Sequence, residues 1–235
     1  MQNNLKAALL AALMLAPAVS FAQEAAPAAE EASSNFSWNA GVVSDYVFRG
    51  VSQSGKDIAF QGGLDYSFGD SGFYIGAWGS NVDFGAQAAP DLEIDGYVGY
   101  KYDFGDKFNM DLMAIRYTYY GDDSGYGSSD YNELVTKWTL TNVATLTVAY
   151  ADDWGNVGIS STYLNLGNSW DLGKGYAINA GFGRTYFSDS GVDYNDWNVG
   201  FSKSVGIVEF GLNYYDTNLD DNASDSVVVS VKISG

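Results

Sequence analysis

Runs of alternating apolar and polar residues recur along this chain, joined by connections of two lengths that strictly take turns. The short ones are Gly69-Asp70-Ser71-Gly72, Gly105-Asp106-Lys107, Thr141-Asn142, Gly173-Lys174-Gly175 and Val205-Gly206. The long ones are acidic and fall around Ser52–Asp57, Asp83–Asp91, Gly121–Asp130, Ala151–Gly158, Ser188–Tyr194 and Asp216–Asp225. Period two puts successive side chains on opposite faces of a strand. A soluble β-sandwich has no reason to sort its loops by length. A barrel in an outer membrane does, with short periplasmic turns and long external loops. The pattern therefore predicts an all-β, transmembrane, antiparallel up-and-down barrel of about twelve strands, both termini periplasmic.

Individual strands support this. Ile58, Phe60, Leu64, Tyr66 and Phe68 share one face, opposite Ala59, Gln61, Gly63, Asp65 and Ser67. Leu92, Ile94, Val98, Tyr100, Tyr102 and Phe104 alternate with Glu93, Asp95, Gly99, Lys101 and Asp103. One face holds small and charged groups, and the other ends in aromatics, as a lipid-out, water-in wall requires. In Gly72–Phe84 either parity is defensible, with Tyr74, Trp78, Val82 and Phe84 the more lipid-like set. The apolar face of Phe108, Met110, Leu112 and Ala114 carries on to Arg116, and that of Tyr176, Ile178, Ala180 and Phe182 to Arg184. Either a bulge shifts the parity there, or both arginines emerge at headgroup level.

The first residues read as an export signal. Lys6 supplies the positive charge, Ala7–Val19 is apolar but too short to span a bilayer, and Ser20-Phe21-Ala22 offers a cleavage site. Residues 1–22 are thus a cleaved signal peptide. Gln23–Ser34 holds Ala, Glu, Pro and Ser without an aromatic, and reads as a flexible periplasmic spacer. Residues 35–235 form one barrel domain without a further break in composition.

The formal net charge of −18 becomes one unit more negative once Lys6 is removed. Such a chain has no basic face for phosphates, so nucleic acid is excluded as a partner. Its 3 arginines are Arg49, Arg116 and Arg184, and all approach the outer ends of upward strands. Lys101, Lys137, Lys203 and Lys232 lie toward inner strand ends, and Lys107 and Lys174 in the turns. Rings of this kind set ion selectivity when they line a lumen. The other account is headgroup snorkelling or the pairing of lumen carboxylates. For Arg116 and Arg184 both readings stay open as outer-rim candidates. Arg49, in phase with Asn39 and Asp45, reads as lumenal at the mouth of the first strand. The pore-lining candidates are Arg49, Asp45, Asp65, Glu93, Asp95, Lys101, Asp111, Glu133, Lys137 and Lys232. Loop acids Asp122, Asp123, Asp130, Asp152, Asp153, Asp216, Asp220, Asp221 and Asp225 match no calcium-loop spacing and read as solvated, mutually repelling charge.

Histidine and cysteine are absent from the sequence. That removes Ser-His and Cys-His nucleophiles, the usual zinc sets and disulfides. Glu93 and Asp95 share a face, but lumen lining accounts for them better than acid–base work. No enzyme, cofactor or metal site is expected.

Asp45-Tyr46-Val47-Phe48-Arg49-Gly50-Val51-Ser52-Gln53 resembles a segment of the TorF-type porins, the Gcw_chp type of bacterial outer-membrane protein. Gly72-Phe73-Tyr74 leading to Trp78-Gly79-Ser80-Asn81-Val82 is similar too, as are Asp193–Lys203 and Gly211–Asp216. The resemblance implies a channel in the outer membrane of a Gram-negative bacterium. Lipid, lipopolysaccharide, barrel-insertion machinery and small hydrophilic solutes are the partners it implies. One feature departs from such barrels, which usually end in an aromatic: this chain ends Ile233-Ser234-Gly235. The sequence thus reads as a narrow passive channel for small hydrophilic solutes or ions. The alternative is a non-conducting, surface-binding or structural barrel.

Overall fold

A computed structural model describes residues 35–85, 89–122, 129–188, 192–219 and 225–235. The segments read above as signal peptide and spacer, and loop acids Asp123, Asp220 and Asp221, lie outside the described residues. Besides the short strands β2 (Val47–Phe48) and β3 (Val51–Ser52), which form no part of the wall, the barrel strands are β1 (Phe36–Val43), β4 (Ala59–Ser67), β5 (Phe73–Asn81), β6 (Ala89–Asp103), β7 (Phe108–Asp122) and β8 (Tyr131–Leu140). The circuit continues with β9 (Ala144–Ala151), β10 (Ser161–Gly173), β11 (Tyr176–Phe187), β12 (Tyr194–Val205), β13 (Val208–Thr217) and β14 (Ser226–Ser234). Each pairs antiparallel with its neighbour in sequence order, and β14 returns to β1, so the sheet closes. At this seam Trp38 and Gly235 exchange backbone hydrogen bonds of 2.8 and 3.0 Å beyond the Asn39↔Ser234 pair. Closure leaves no sheet edge, which is the condition for β-structure in hydrocarbon.

The twelve-strand expectation holds, and so does the sorting of connections by length. Short turns gather at one end of the barrel and long loops at the other. The outward face exposes Phe60, Leu64, Ile94, Leu166, Phe182, Val199, Leu212 and Val227, among others. At the turn end the aromatics form a girdle: Phe73–Tyr100 (4.8 Å), Tyr102–Phe104 (4.8 Å), Phe104–Phe108 (5.4 Å) and Phe108–Trp138 (6.0 Å). Amphipathic rings in such a band match the boundary between hydrocarbon and headgroups.

Two expectations are corrected. In β5 the inward set is Tyr74, Trp78 and Ser80, with Val82 and Phe84 buried beyond it, while Phe73 and Ile75 face out. The tyrosine turns inward because its hydroxyl finds a lumen carboxylate, Asp111, at 2.7 Å. The second concerns the first strand. β1 stops at Val43, so Asp45 and Arg49 do not extend its inner face. The chain instead turns into the barrel. Arg116 and Arg184 keep the parity of their strands without a bulge, and both lie outward near the loop end.

Candidate functional site

Ser44 to Ile58 forms the first loop, and its centre is a hairpin folded into the lumen. β2 (Val47–Phe48) pairs with β3 (Val51–Ser52) across the two-residue turn Arg49-Gly50. Both turn residues have positive φ, 45° and 80°, so the connection has the twist that matches paired strands. Arginine is an uncommon occupant of that conformation, and its persistence there points to contacts that hold it.

The root of the hairpin is tied by hydroxyls. Asp45 accepts hydrogen bonds from Ser52 (2.6 Å), Ser54 (3.3 Å) and, on β14, Ser226 (2.6 Å). Ser54 Oγ also accepts from the Tyr46 amide at 2.9 Å, and the Tyr46 hydroxyl donates to Glu93 on β6 at 3.2 Å. Gln53, fully buried, accepts the Asp83 amide on its carbonyl at 2.8 Å. Around the hairpin lies a layer of buried rings, including Tyr46, Phe48, Tyr117, Tyr131, Trp154, Phe187 and Tyr194. Trp154 comes from the loop after β9, so that loop also turns inward.

At the tip, Arg49 Nη2 donates to both carboxylate oxygens of Glu133 on β8, at 2.9 and 2.8 Å. Its side chain is 6% exposed, and that of Glu133 1%. The guanidinium is held between two rings, 4.4 Å from the centre of Phe48 and 4.3 Å from that of Tyr163. Tyr117 donates a further bond to Glu133 at 3.2 Å. Low polarity around such a pair strengthens the attraction and makes loss of either partner costly. Arg49 Nε and Nη1 take no hydrogen bond among the described residues.

On the turn-end side of Arg49 is a cavity of about 290 Å³. Four consecutive strands line it with one asparagine each: Asn165 on β10, Asn179 on β11, Asn198 on β12 and Asn213 on β13. A glycine sits two residues from each on the same face: Gly167, Gly181, Gly200 and Gly211. Close approach explains Gly200, where an added Cβ meets the amides of both Asn179 (2.5 Å) and Asn213. Within this lattice Asn179 donates to Asn213 at 3.0 Å. Asp196, which accepts from Tyr163 at 3.1 Å, closes one side, and Glu209 and Lys232 face each other across β13 and β14.

The structure divides the sequence-derived candidates. Arg49 and Glu133 meet directly, and Glu93 and Asp95 stand buried on the neighbouring inner face of β6. Asp45 serves the hairpin root. Lys232 belongs to the cavity. Asp65, Lys101, Asp111 and Lys137 form a separate group. In it, Tyr97 bonds Asp65 at 2.6 Å, Lys101 lies 5.3 Å from the Tyr74 ring, and Asp111 stands in register with both lysines. Arg116 pairs with Asp130 at 3.1 Å and Arg184 with Asp193 at 3.5 Å, both exposed on the outside. Sequence reasoning missed Tyr163, Asp196 and the asparagine lattice. Their signal was the same pair of residue types recurring two apart on four successive strands.

The sequence matches the family model described as "Bacterial protein of unknown function (Gcw_chp)" over residues 27–233. No curated protein matches this chain in sequence. Among solved structures, one described under "Unveiling the Mechanism Behind the in-meso Crystallization of Membrane Proteins" is similar at TM-score 0.58 and 8% identity, covering 85% of this chain and 83% of that one. The KdgM porin is similar at TM-score 0.49 and 10% identity, covering 85% and 96%. The NanC porin gives TM-score 0.49 and 10% identity, covering 85% and 97%. At these identities the likeness is one of barrel fold. The family description agrees with the Gcw_chp resemblance of the sequence motifs and assigns no transport activity.

Proposed function

We propose that this chain, which belongs to the bacterial Gcw_chp family, is a porin-like outer-membrane channel for small hydrophilic solutes or ions. The apolar belt and aromatic girdle suit a bilayer, with the long acidic loops outside and the short turns in the periplasm. The signal segment supports export to that membrane. One observation carries the channel reading. Beneath the hairpin the lumen is walled by amides, hydroxyls and charges around open space, not by packed apolar side chains. Burying polar groups without partners destabilises a barrel that serves only as scaffold, whereas a solute path needs them. The hairpin tip is then the constriction. Single-channel recording in planar bilayers tests the proposal: discrete conductance steps from the folded chain support it, and their absence from correctly folded protein overturns it.

A second reading has its own observation. The Arg49 tip and the ring layer around it are buried and fill the loop end of the lumen. A barrel that keeps this arrangement permanently is a non-conducting surface protein. The same recordings separate the two.

A further inference from the structure

The cavity beneath Arg49 has a chemistry of its own, and its occupant follows from the groups that line it. Resting on the channel reading above, we propose that it is a subsite for a neutral polyhydroxylated solute of monosaccharide size. The argument starts with what the wall offers. Each of the four asparagines presents an amide that both donates and accepts. Arg49 lines the same space, with its guanidinium held by Glu133. Asp196 lines it as well, a carboxylate held by the Tyr163 hydroxyl. Amide donors and acceptors therefore face one space. Hydroxyl groups are the ligands that satisfy both at once, since each gives one proton and accepts on two lone pairs.

Charge argues against an ionic occupant. Arg49 is already neutralised by Glu133, and Lys232 stands opposite Glu209. Asp196 remains, so an organic anion meets repulsion. A compact cation can use the Asp196 carboxylate and the asparagine oxygens but leaves every amide N–H donor unused. Volume sets the size. Ligand pockets run from roughly 300 to 1,000 Å³, so a cavity of about 290 Å³ takes a small molecule only. Gly200 leaves room for the amides of Asn179 and Asn213, and the lattice of four asparagines spans four adjacent strands. Tyr163 and Asp196 are held to each other at its edge, which fixes the acceptor in place.

The test uses the full folded chain in detergent micelles with three probes of similar size: glucose, gluconate and lysine. Saturation-transfer NMR reads binding without requiring conductance. Glucose is expected to receive the strongest transfer, with gluconate and lysine weak. Replacing Asn179→Ala or Asn213→Ala is expected to weaken glucose binding about fivefold each, the worth of about one hydrogen bond. Heat-modifiable migration on gels checks folding, and Asn213→Ser serves if alanine does not fold. The comparison among the three probes on the wild type needs no variant at all. Absent glucose transfer, preference for gluconate or lysine, or unchanged binding in folded variants overturns the subsite. Glucose binding by a barrel that shows no conductance keeps the subsite and removes the channel reading. Conductance without glucose binding does the reverse.

Discussion

Arg49 joins the inward hairpin of the first loop to the barrel wall. It occupies a strained turn position, and its guanidinium is shared between Glu133 and two rings. The consequence is asymmetric. Removing the arginine leaves Glu133 buried with Tyr117 as its hydrogen-bond partner among the described residues, and an uncompensated buried charge costs about 3–5 kcal/mol. Arg49→Ala is therefore expected to lower the midpoint of denaturant unfolding in micelles and to raise single-channel conductance by freeing the hairpin tip. Adding Glu133→Gln removes the stranded charge, so the double variant should regain much of the lost stability while keeping the raised conductance. A single variant as stable as the wild type shows that the pair adds nothing to folding. Unchanged conductance in that variant takes the constriction away from Arg49. Arg49→Lys is no substitute, because an ammonium lacks the planar fork of donors that the guanidinium brings to Glu133 beside the Phe48 and Tyr163 rings.

The hairpin of β2 and β3 occupies the loop end of the lumen, and on the proposed channel reading it sets the opening. Its seat depends on Gly50, at φ 80°, where an added Cβ meets the Thr217 methyl, Asp196 Cβ at 2.9 Å and the Asp216 carbonyl at 3.1 Å. Gly50→Ala should unseat the tip without disturbing the strand ladder, so conductance should rise while the folded band on gels persists. Unaltered currents in that variant mean the hairpin does not limit flow. How much of this was readable beforehand follows from physics. The strands were legible because the outer face must be apolar residue by residue, which forces period two into the sequence. The hairpin was not, since Val47 and Phe48 prolong the apolar run and Arg49-Gly50 lacks the Asn-Gly or Asp-Gly signature of such turns. Yet Asp45–Gln53, the segment that carried the family resemblance, is this same hairpin. The parity of β5 misled because an inward tyrosine is stable wherever its hydroxyl meets a carboxylate, as Tyr74 meets Asp111. Contacts between elements stayed hidden for a simpler reason. Glu133 and Arg49 are 84 residues apart, and the asparagine lattice exists only when four strands are seen side by side.

At the scale of the whole molecule, two quantities remain to be tested: direction and charge. If the long loops face outward, protease added to intact cells should cut within Gly121–Asp130 or Asp216–Asp225 and spare Gly69–Gly72 and Gly173–Gly175. Cutting at the short turns from outside inverts the topology. Charge should decide permeation. The inward carboxylates Glu133, Asp196 and Glu209 outnumber the cations Arg49 and Lys232 near them. The loops add further acids, including the exposed Asp57 and Asp152. Together they raise the local concentration of cations, an effect screened beyond about 10 Å at 0.1 M salt. Lys101 and Lys137 oppose it nearer the turn end, where Asp111 stands between them in register. The preference should therefore be cationic but weak, visible at low ionic strength and fading as salt rises. Reversal potentials across a potassium chloride gradient measure it directly. Clear anion preference at low salt means that Lys101, Lys137 and Lys232, and not the carboxylates, control the path, and Lys232→Gln should then weaken that preference.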